Sequence, residues 1–206
     1  MADYDAVPED LAPHQALVLR LIKEIAHAQV EQDVWDEITP EIFVVSTSVS
    51  ALGFPQGVVT LLPVPDDVWR IAGHPRRALP IITGVVERTE DLGALMPLPV
   101  QAIALASESW ELDIPEDATQ EERKAANEFT QQPGHGIADH HWAVESKNVF
   151  ALDADGWQFA TSRFRGGGYG RQIAVPPSDA GAVTGDLPEG LAKLLAAMRR
   201  EARHGA

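Results

Sequence analysis

The chain contains no cysteine. That excludes disulfides, thiolate nucleophiles, iron–sulfur clusters and cysteine-ligated zinc, so the fold must be held by burial alone. It has no apolar run of membrane-spanning length. The longest candidate, Leu79 to Val86, is far too short and contains Gly84. Basic residues are also scarce: 16 Lys and Arg stand against 31 Asp and Glu, for a net charge of −15. A field of that sign repels DNA, RNA and anionic lipid, and no basic stripe offsets it. Asp3, Asp5, Glu9 and Asp10 precede the first basic residue, Arg20, so no secretory signal is expected and the sequence favours a cytoplasmic protein.

What is present is a soluble globular composition with 45% hydrophobic residues in 206, enough for one sizeable core. Residues 1–10 read as an acidic flexible tail, and residues 11–203 as a single α+β domain. The strongest local signal runs from Val149 to Arg165. Two alternating apolar and polar runs flank Asp153-Ala154-Asp155-Gly156, and Asp155-Gly156 is a favoured hairpin turn pair. Val149–Leu152 should pair with Trp157–Arg163.

Other elements follow from periodicity. A helix is expected from Leu11 to about Val34, with Leu17, Val18, Leu21, Ile22 and Ile25 on one face. Strands are expected at Ile42–Ser48, Val58–Leu62 and Val100–Leu112, and Ala51–Gly57 reads as a loop. The small residues Ala102, Ala104 and Ala106 suggest a helix lying close over their face. A short helix should pass through Trp69 and Ile71. Leu79–Val86 is apolar throughout and fits either a helix or a strand. Thr119-Gln120-Glu121-Glu122 and Asp186-Leu187-Pro188-Glu189 have the form of capping boxes, each opening a helix. The fold class expected is α+β, a mainly antiparallel sheet flanked by an N-terminal and a C-terminal helix.

This order of features resembles that of a family of actinobacterial proteins of about this size with no assigned activity. The resemblance rests on Trp35-Asp36 followed by Pro40, Ile42 and Phe43, on the Asp155-Gly156 hairpin closed by Arg163-Phe164-Arg165, and on the terminal-helix signal from Gly185 to Leu191. It implies the same sheet-and-helix fold and carries no chemistry over.

Two clusters are candidate sites. The first is acidic: seven acids and no base lie between Glu108 and Glu122. Glu108, Glu111, Asp113, Glu116 and Asp117 could dock a basic protein. On a strand Glu108 and Glu111 face opposite sides, which argues against a paired-carboxylate active site. The second is His135, Asp139, His140 and His141, whose imidazoles and carboxylate suit a divalent transition metal. Adjacent histidines on a strand point apart, and no HExxH-type spacing occurs.

Gly166 to Gly170 lacks the Lys-Ser/Thr and following helix of a phosphate loop, so it reads as a connection. Asp153 to Gly156 lacks the late Glu of a calcium loop. The sequence therefore favours a non-catalytic protein-interaction module without a cofactor, binding a basic partner or a further copy of itself. The alternative is a metal-dependent hydrolase or lyase using the histidine cluster.

Overall fold

The computed structural model describes residues 11, 13–31, 39–49, 55–89, 99–115, 117–130, 137–166, 173–177 and 184–204. The expected acidic tail, Trp35-Asp36, Glu116, His135 and most of the glycine run lie outside these residues.

In chain order the elements are α1 (Pro13–Glu31), β1 (Glu41–Val49), β2 (Pro55–Leu62), α2 (Asp66–Ala72), α3 (Pro75–Val86) and β3 (Val100–Leu112). They continue with α4 (Gln120–Thr130), a 3₁₀ turn (Ile137–Asp139), β4 (Ala143–Asp153), β5 (Gln158–Phe164), β6 (Ile173–Val175) and α5 (Asp186–His204). The strands form one antiparallel sheet in the order β2-β1-β3-β4-β5-β6. The chain is α+β, and its first and last helices flank this sheet.

The alternation along β3 assigns the two faces. Ala102, Ala104 and Ala106 lie on one side with Val18, Leu19, Ile22 and Ile25 of α1. Their methyl side chains let α1 approach the sheet closely. Ile103 and Leu105 lie on the other side with Ile42 and Val44, under Leu79 and Ile82 of α3 and Leu191, Leu194 and Met198 of α5. Trp69 and Ala72 bring α2 into the same layer. Both faces of the central strands are thus covered, which explains the nearly unbroken apolar run at the start of β3.

Four boundaries differ from the sequence reading, each for a local reason. Leu79–Val86 belongs to a helix, because α3 starts earlier: His74 caps it, its Nδ1 accepting from the Arg76 amide at 3.1 Å, and Pro75 sits in the first turn. Pro80 is accommodated inside it. Gly57 lies within β2 and not in the preceding loop. A Cβ there would overlap Leu21 Cδ1, so glycine lets α1 pack onto this strand. β4 begins at Ala143, six residues before the hairpin arm expected from Val149, and runs as one element to Asp153. At α5 the first helical bond runs from the Glu189 amide to the Gly185 carbonyl, placing the cap at Gly185 (φ 118°). Asp186 then sits in the first turn, where the helix dipole favours its charge.

Candidate functional site

β3 divides the acidic run. In the β3–β4 register Glu108 lies across from Lys147, and Glu111 lies across from Val144. The odd separation turns the two carboxylates to opposite faces, as the sequence spacing requires. Lys147 is buried, and Glu108 is half-buried beside it. On the other face Glu111 Oε1 accepts from the Ser146 hydroxyl at 2.8 Å. Ser146 is fully buried, and its oxygen receives Asn148 Nδ2 at 2.8 Å while standing 3.2 Å from Ser109 Oγ. Asn148 Nδ2 also reaches Ser109 Oγ at 2.7 Å.

These four side chains form a closed polar network across two strands, and its oxygen acceptors and hydroxyl donors answer one another. Its sequence signal is the polar i, i+2 spacing of Ser107, Ser109 and Glu111 facing Ser146 and Asn148. Of the remaining acids, Asp113 and Asp117 are exposed. The acidic run is therefore split: Glu108 and Glu111 are partly buried along the sheet, and Asp113, Asp117, Glu121 and Glu122 face solvent.

The histidine segment forms the entry to β4. The 3₁₀ turn delivers His140, whose amide donates to the Ile137 carbonyl. His140 and His141 are not on a strand, and their rings stack with centroids 4.5 Å apart. Phe129 of α4 meets the His140 ring edge-on at 4.9 Å, and Trp142 tilts against both imidazoles. His140 Nδ1 accepts from the Trp142 amide at 3.1 Å. Stacked rings present faces to each other, an arrangement that packs α4 onto the sheet end and does not aim two nitrogens at one point. Among the described residues no three His, Asp or Glu side chains are grouped as a metal site needs.

The start of α4 is the expected capping box. Glu122 accepts from the Thr119 amide and hydroxyl, both at 2.8 Å, and the Glu122 amide returns to Thr119 Oγ1 at 3.3 Å. Those Thr119 donors hold the Glu122 carboxyl below the usual range, and the nearby His141 acts in the same direction. At α3, burial and then the charges of Arg76 and Arg77 lower the His74 imidazole. Both groups serve their helix starts.

A different feature emerges where the chain leaves β2 and returns as α3. An open groove of about 390 Å³ runs between them, with Leu61, Leu62, Val64 and Val68 on one wall and Ile81 and Val85 on the other. Among the described residues twelve line it, and none of these is charged. Ile81 and Val85, four residues apart on α3, are 45% and 52% exposed, an unusual state for adjacent aliphatic side chains. β2 is also the edge of the sheet. Groove and strand edge form one continuous surface. Sequence reasoning did not single out these residues, because segments about twenty positions apart build the groove and neither is unusual by itself.

Among the described residues, no helix is long and apolar enough to cross a membrane. The chain matches no protein-family model, and comparison with curated proteins and with solved structures gives no significant match.

Proposed function

We propose that this chain is a non-catalytic protein-interaction module that docks through β2 and α3. The observation that supports this reading is the uncharged groove beside the sheet edge. Exposed contiguous apolar surface carries a solubility cost and marks interaction sites in soluble proteins. Edge strands add backbone hydrogen bonds to whatever docks there.

The acidic run is the weaker docking surface, because Glu108 and Glu111 are engaged within the sheet. The net charge of −15 sets the module against nucleic acid and anionic lipid as partners. A metal-dependent hydrolase or lyase has less support, given the stacked rings of His140 and His141.

The test is an environment-sensitive apolar dye titrated into dilute protein. The unsubstituted chain should enhance its fluorescence, and Val85→Glu should remove most of that signal while the circular dichroism spectrum stays unchanged. Equal binding by both chains, or none by either, would count against the groove as an open docking surface.

A further inference from the structure

We infer that the groove takes a second copy of this chain, whose own β2 pairs antiparallel with the first. This rests on the interaction-module reading and names its partner.

The argument begins with the strand edge. β2 spans eight residues, PQGVVTLL, with no charge among them. Its register with β1 runs uninterrupted from Ile42↔Leu62 to Val49↔Pro55, so no bulge twists the edge away. The opposite edge, β6, has only three residues. Soluble proteins protect long edges with charge, bulges or a covering element, and β2 lacks the first two.

Charge then selects the occupant. A chain of net charge −15 repels its own copies over most of its surface. The described residues of the groove carry no charge, so two copies can meet over them without bringing like charges together. A basic partner would find no acid among these residues, and an anionic one no base. A second copy supplies an equally uncharged, equally apolar surface and an equally open strand.

Symmetry completes the case. A two-fold axis perpendicular to the sheet makes β2 and its mate antiparallel. The same axis keeps the two α3 helices on one face of the joined sheet. Ile81 and Val85 would then be covered by the operation that pairs the strands. The contact is self-complementary and closed, so it ends at a dimer and does not propagate into fibres.

Sedimentation equilibrium of the full chain tests this across a wide concentration range. The mass should rise toward twice 22.3 kDa. Val58→Lys places a charge on the edge strand, where Val58 is 43% exposed, and Val85→Glu places one on α3. Each should weaken the dimer by at least about tenfold, with thermal unfolding of the monomer unchanged. Amide exchange in residues 55–62 of the unsubstituted chain should slow with rising concentration, a reading that needs no variant.

A dimer that persists undiminished in both variants overturns the inference. So does a chain that stays monomeric. In the monomeric case the dye separates the two claims. Dye binding that Val85→Glu removes leaves an open groove and sinks only the second copy as occupant. No dye binding sinks the docking reading as well.

Discussion

Leu79→Ala is expected to lower stability by about 3–5 kcal/mol in urea unfolding. Leu79 is fully buried on α3, facing the sheet with Ile42, Val44, Ile103 and Leu105. The truncation loses apolar transfer energy and opens a cavity that the two helices and the sheet cannot close. A domain of this kind has about 5–15 kcal/mol in total, so the variant should be near its folding limit.

The same site yields a sharper expectation. A Cβ at Gly190 on α5 would stand 2.8 Å from Leu79 Cδ1 and 3.2 Å from Leu79 Cβ. Glycine there sets how closely α3 and α5 approach. Gly190→Ala alone should cost about 1–3 kcal/mol through overpacking, reduced by the better helix propensity of alanine. In the Leu79→Ala background the added methyl fills vacated space. The double variant should therefore be more stable than the sum of the singles predicts, by about 1 kcal/mol or more. Strict additivity would mean that the two residues do not meet.

The second large effect is at the hairpin turn. Asp153 is 4% exposed, and its Oδ1 accepts from the Asp155 amide at 2.9 Å and the Trp157 amide at 2.8 Å. The Gly156 amide donates to the Asp153 carbonyl, and Gly156 adopts φ 90°. Asp153→Ala should cost about 2–3 kcal/mol, because two amides lose their acceptor. Asp153→Asn keeps an acceptor oxygen and should cost much less.

The two differ in pH dependence. Burial raises the Asp153 carboxyl above its ordinary value of 3.8, outweighing the amide donors of Trp157 and Asp155 that lower it. The folded state thus holds this proton more tightly than the unfolded state. The associated stability is fully present below the unfolded pKa and is lost as pH rises through the raised folded one. Relative to Asp153→Asn, the unsubstituted protein should lose stability over that window and change little above it. Glu122 runs the other way: its lowered pKa gives stability above the unfolded value that is lost as pH falls through the folded one. Parallel pH profiles for the unsubstituted and Asp153→Asn chains would contradict this account.

The hairpin was legible because alternation and turn chemistry agree. The register from Ser146↔Phe164 to Leu152↔Gln158 contains the expected pairing. The turn differs in detail. The Asp153 amide donates to the Trp157 carbonyl, so three residues, Ala154 to Gly156, form the loop, one fewer than the turn from Asp153 to Gly156 that the sequence suggests. The reason is the Asp153 carboxylate, which replaces a backbone acceptor. Thr119 and Glu122 were legible as a capping box because such boxes are purely local. The alanines of β3 gave the close approach of α1, since small residues on one face mean a near neighbour.

The helix at Leu79–Val86 was ambiguous because an unbroken apolar run has no period, and the His74 cap that decides it lies upstream. For the sites, spacing alone showed that Glu108 and Glu111 diverge. The stacking of His140 on His141 depends on leaving the strand geometry, which one sequence does not announce. The groove arises only when β2 and α3 are brought together.

The central claim is the proposal that the β2 edge and its groove take a second copy of this chain. Amide exchange along residues 55–62, compared between concentrated and dilute samples, tests it most directly. The account predicts that the outward amides of β2 exchange quickly when dilute and become protected when concentrated, and that Val85→Glu removes the change. Outward amides equally protected at every dilution, or equally fast at every concentration, would contradict it.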